Sequence, residues 1–61
     1  MLIPDGWKYV SDYCIKRDDF TIIRVGNSDG WSYELWRLKD QLEVNLPSAE
    51  AAIEQFHVKQ T

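Results

Sequence analysis

The sequence predicts an α+β fold: a three- to four-stranded antiparallel meander followed by one C-terminal helix packed on one face. Three observations carry this. Side chains alternate along Trp31-Ser32-Tyr33-Glu34-Leu35-Trp36-Arg37 and again along Leu42-Glu43-Val44-Asn45-Leu46, the period of strands with one face turned inward. Pro47 and Ser48 then switch the period to helical, through Ala49, Ala52, Ile53 and Phe56. The connections are too short for the crossovers that parallel strands require, so neighbouring strands must run antiparallel.

The 61 residues leave room for a single small domain, 1–61. A chain of this length buries only about 60% of the surface its unfolded form exposes, and its core supplies roughly 3–5 kcal/mol. With one cysteine, Cys14, no disulfide can form within the chain. One Cys and one His, His57, cannot supply the three or four ligands of a zinc site. No metal or cofactor is therefore expected. Three Trp, three Tyr and two Phe leave aromatic packing, and self-association, as the sources of stability.

The elements follow in order. Residues 1–10 read as an N-terminal arm with a turn at Pro4-Asp5-Gly6. The first strand is expected at about 12–16, with Tyr13 and Ile15 on one face and Cys14 and Lys16 on the other. Arg17-Asp18-Asp19 is a polar turn. Phe20 to Val25 is aromatic and β-branched almost throughout, giving a strand at about 20–25. Gly26-Asn27-Ser28-Asp29-Gly30 reads as a hairpin loop. The remaining strands fall at about 31–37 and 42–45, joined by Leu38-Lys39-Asp40-Gln41. Ser48 is suited to cap a helix of about 49–57, and Glu50 in its first turn complements the dipole. Val58 to Thr61 is expected to fray.

The helix must bury Ala49, Ala52, Ile53 and Phe56. Their opposite numbers are Tyr13, Ile15, Ile22, Tyr33, Leu35, Leu42 and Val44, with Ile22, Tyr33, Leu35, Val44, Ile53 and Phe56 as the central set. The second face then carries Cys14, Lys16, Thr21, Ile23, Val25, Ser32, Glu34 and Trp36. One helix cannot cover both faces. Ile23, Val25 and Trp36 are either open to a partner or covered by the N-terminal residues Leu2, Ile3 and Trp7. The first alternative makes them the candidate partner-binding residues, since Trp is enriched at interface hot spots. A two-fold homodimer would need only this one self-complementary surface.

The basic residues Lys16, Arg17, Arg24, Arg37 and Lys39 interleave with aromatic side chains. Some proteins lay sheet strands into a DNA groove, and Arg24, Arg37 and Lys39 are the candidates for that alternative. A net charge of −3, and Asp18, Asp19, Glu34, Asp40 and Glu43 among these cations, oppose a phosphate backbone. Solvated cross-strand ion pairs account for the same pattern.

Catalytic arrangements find less support. Asp18-Asp19 has no placed proton acceptor, and His57 suits a helix C-terminus without any chemistry. Cys14 has Lys16 nearby but no His within sequence reach. Gly26 and Gly30 bracket a hairpin tip and are not followed by the helix of a phosphate-binding loop. The N-terminus lacks a basic region followed by an apolar run, and no apolar stretch approaches 18 residues. No secretory leader or membrane span is expected, and a lone thiol suits the reducing cytoplasm.

Two resemblances add to this reading. Ile3-Pro4-Asp5-Gly6-Trp7-Lys8-Tyr9-Val10 resembles the Ile-Pro-x-Gly-Trp-Lys start of small accessory proteins encoded by bacteriophages and prophages, implying a phage or bacterial source. Strands leading into Ser48-Ala49-Glu50-Ala51-Ala52 resemble the end of the AP2 domain and of integrase arm-binding domains. In those, a three-stranded sheet reads DNA and its last strand leads into a Thr/Ser-Ala-Glu-x-Ala helix. The strands here lack the dense arginines of that group. The function expected is thus a non-enzymatic protein-interaction module, with DNA binding through the sheet as the alternative.

Overall fold

A computed structural model describes residues 6–60 of the chain. Five strands, β1 (Lys8–Ser11), β2 (Cys14–Arg17), β3 (Phe20–Asn27), β4 (Gly30–Arg37) and β5 (Asp40–Leu46), precede one helix, α1 (Ala49–Gln60). The strands form one antiparallel sheet in sequence order. The α+β meander with a C-terminal helix is as expected, but with five strands rather than three or four.

The additional strand comes from the segment read as an arm. Lys8–Ser11 pairs with β2, placing Tyr9 opposite Ile15 and Ser11 opposite Cys14. Asp12 and Tyr13, expected to begin a strand, instead form the turn between them, where the Ser11 hydroxyl accepts from the Tyr13 amide at 3.2 Å. The Tyr9 hydroxyl donates to the Asp12 carboxylate, which holds the phenol above its ordinary pKa. Tyr13 is consequently exposed rather than packed under the helix.

The hairpin between β3 and β4 is also tighter than expected. Gly26 pairs with Trp31 and Asn27 with Gly30, so only Ser28 and Asp29 connect the strands. The strand continues through Gly26 because the Trp31 ring lies over it: a Cβ there would sit 2.9 Å from Trp31 Cζ3. Between β4 and β5 the turn narrows to Leu38 and Lys39, as Arg37 pairs with Asp40. Leu38 takes a φ of 54° there, a left-handed conformation that costs a residue with a Cβ roughly 1–2 kcal/mol. Its amide donates to the Asp19 carbonyl at 2.8 Å, tying this turn to the one between β2 and β3.

The core is Trp7, Ile15, Phe20, Ile22, Leu35, Ala52 and Phe56, with Tyr33, Leu42, Leu46 and Ile53 packed against it. Phe56 is its centre. The Trp7 and Phe20 rings meet Phe56 edge-on, with centroids 5.0 and 4.8 Å away. Trp7 therefore lies on the helix side and does not cover the opposite face; Leu2 and Ile3 lie outside the described residues.

Val44 is a correction to the expected core, being 41% exposed. Asn45 adopts a φ of 57°, and the β4–β5 register shifts on either side of Leu35. The shift sets Leu46, not Val44, opposite the packed chain at Tyr33. Ser48 caps the helix as expected, its hydroxyl accepting from the Ala51 amide at 3.1 Å. The helix does not fray at Val58 but runs to Gln60, where Lys59 reaches Glu43 of β5 at 3.2 Å.

Candidate functional site

The sheet bears the helix on one side only. Helix α1 packs against β3, β4 and β5 over Ile22 and Leu35, both fully buried. Strand alternation sends Ile23 and Val25 of β3 and Trp36 of β4 to the other side. They share that face with Cys14, Lys16, Thr21, Ser32, Glu34 and Gln41, by the registers Cys14↔Ile23, Lys16↔Thr21, Ile23↔Glu34, Val25↔Ser32, Thr21↔Trp36 and Trp36↔Gln41. Among the described residues no second layer covers them. Ile23, Val25 and Trp36 are half-buried.

Trp36 is held in place on this face. Its indole Nε1 donates to Glu34 Oε1 at 3.1 Å, and Gln41 Nε2 donates to the same oxygen at 3.3 Å. The ring thus has its polar atom satisfied and its apolar surface presented. Cys14, on the same face, is half-buried, and burial pushes its thiol above the ordinary value while Lys16 pulls weakly the other way. A protonated thiol is a poor nucleophile.

The residues expected for DNA binding lie elsewhere. Arg24 and Arg37 project from the helix-bearing side, and Lys39 sits in the β4–β5 turn. Arg24 lies between two aromatic rings, with Cζ 4.4 Å from the Trp31 centroid and 5.4 Å from that of Tyr13. Its Nε is buried without a hydrogen-bond partner. Arg37 stacks on Phe20 at 5.7 Å and Arg17 on Phe56 at 5.3 Å. Each arginine of the chain is thus spent on an aromatic ring of the helix side, and the three DNA candidates do not converge on the open face.

Sequence reasoning missed the Tyr13–Arg24–Trp31 stack, which lies beyond the helix, and a cationic recess at the β1–β2 end. That recess, about 330 Å³ in volume, is lined by Gly6, Lys8, Lys16, Arg17 and Asp18. Finding it required knowing that Lys8 pairs with Lys16, and hence that β1 exists. Asp18 and Asp19 occupy an exposed turn, and His57 is exposed at the helix end beside Phe56. No cluster of three or more metal-ligating side chains occurs among the described residues. Among the described residues no helix is long and apolar enough to cross a membrane.

Comparison with known proteins found no matching family model, no matching curated protein and no matching solved structure.

Proposed function

We propose that this domain is a non-enzymatic protein-interaction module that binds through its open sheet face, with Ile23, Val25 and Trp36 as the contact residues. The observation that carries the reading is the one-sided helix, which leaves these apolar side chains without a covering layer among the described residues. The fixing of Trp36 by Glu34 supports it further, since binding at a pre-positioned Trp costs little ordering entropy. A second copy of the chain is the first occupant to consider, because a two-fold interface uses one surface twice. The resemblance of the opening residues to phage-encoded accessory proteins supports an accessory role in a phage or bacterial cell, and the lone thiol of Cys14 suits its cytoplasm.

The test is sedimentation of the wild-type chain beside Trp36→Glu. Wild type should associate with a dissociation constant on the order of micromolar, and the variant should remain monomeric. A wild-type chain that stays monomeric at high micromolar concentration, and whose protein partners also bind Trp36→Glu, would overturn the reading. A bound state that weakens steeply as salt rises would favour nucleic acid over an apolar interface.

A further inference from the structure

We infer that the open face is occupied by a second copy of this chain, docked about a two-fold axis along β3, so that Lys16 of each copy meets Trp36 and Glu34 of the other. The inference rests on the open-face reading above and adds the partner's orientation. Strand register gives the layout. One lateral row of the face runs Lys8, Lys16, Thr21, Trp36 and Gln41 from β1 to β5. The next runs Cys14, Ile23 and Glu34 from β2 to β4. Cations therefore occupy the β1 and β2 side, the indole and a carboxylate the β4 side, and the apolar Ile23 and Val25 of β3 the strip between. Lys8 and Lys16 are exposed and opposite each other, an unfavourable pairing of like charges. Neither has an ion-pair partner among the described residues.

Two sheets can meet face to face with two-fold symmetry in two ways. An axis across the strands stacks each strand on its own copy, returning the lysines to lysine-bearing strands and Glu34 to the strand of Glu34. An axis along β3 instead lays β2 over β4 of the other copy, because both lie one strand spacing, about 4.8 Å, from β3. Each lateral row then meets its own reverse. Lys16 falls over Trp36, Lys8 over Gln41, and Ile23 and Val25 over their own copies. Glu34 Oε1 accepts from Trp36 Nε1 at 3.1 Å, so its carboxylate lies beside the indole. A single ammonium can address the ring and the carboxylate together. Either axis buries the apolar strip. Charge separates them, since like charges across an interface suppress the wrong arrangement.

The experiment is sedimentation of the full chain carrying Lys16→Glu, or Glu34→Lys, and of the two variants mixed in equal amounts. Each variant alone should dimerise at least about tenfold more weakly than wild type, since both docking pairs become like-charged. The mixture should recover to within about threefold of wild type, because pairing one variant with the other makes both pairs attractive again. Glu34→Gln keeps an acceptor for the Trp36 indole and removes only the charge. It should melt like wild type and weaken the dimer by about threefold. A dimer that Trp36→Glu abolishes, but that the charge reversals leave unchanged or weaken without recovery on mixing, would overturn this orientation and spare the open face as the interface. A wild-type chain that is monomeric at high micromolar concentration would overturn the second copy as occupant. A protein partner lost with Trp36→Glu would then keep the open-face reading, and one that still binds would end that reading too.

Discussion

The two faces of the sheet are built from the same strands, and neighbouring residues fall on opposite sides. Ile22 and Leu35 are wholly buried, whereas Ile23 and Trp36, each one position further on, are half-buried. The difference lies in the helix and not in the strands. Ser48 starts α1 directly after β5, and its Ala52, Ile53 and Phe56 lie on the Ile22 side. Composition therefore does not distinguish a core isoleucine from a surface one here. What distinguishes them is a single element twelve residues long, too narrow to serve both sides. The covered face carries the core of the domain, and the other face bears no second layer among the described residues.

The largest expected effect breaks the covered face. Phe56→Ala removes the ring against which Trp7, Phe20 and Arg17 pack, at a cost of about 3–5 kcal/mol. That equals the whole stability expected of so short a chain. Thermal circular dichroism should show no cooperative transition for this variant; a melt like that of wild type would mean the helix is not what holds the sheet. On the open face the expected effect on folding is much smaller. Trp36→Glu should change the unfolding free energy of the dilute monomer by less than about 1 kcal/mol, as judged by urea denaturation. A loss as large as that of Phe56→Ala would erase the functional contrast between the faces. The smallest effect belongs to neither face: Leu38→Asn relieves a left-handed leucine that is 70% exposed. Asparagine enters the left-handed region more readily than leucine, and stability should rise by about 0.5–1 kcal/mol, measurable as a higher melting temperature.

How far the fold was legible follows from which interactions are local. The helix start could be read because a cap is a short-range device: Ser48 bonds the amide three residues on. The long strands could be read because Phe20 to Val25 is aromatic and β-branched almost throughout, while Trp31 to Arg37 repeats its alternation several times. The four residues of β1 give too short a count, and their role depends on pairing with β2. Val44 was misplaced because alternation assumes an unbroken phase, whereas Asn45 and the β4–β5 register shifts reset it. The apolar open-face residues lie on regular ladder and so could be assigned to a side. Lys8, Arg17 and Gly6 come together only through the turn and strand that alternation did not reveal.

The irregular margins of the sheet have a consequence for how copies can meet. A meander has two outer strands whose unpaired backbone groups invite another chain to add on. Here β1 has only four residues, carries Lys8, and breaks register between Tyr9 and Ser11. On the other side, β5 is shifted against β4 and kinked at Asn45. Short, charged or bulged edges are poor templates for runaway strand addition. Such a molecule can display aromatic and aliphatic side chains without offering its margins as templates for fibril growth.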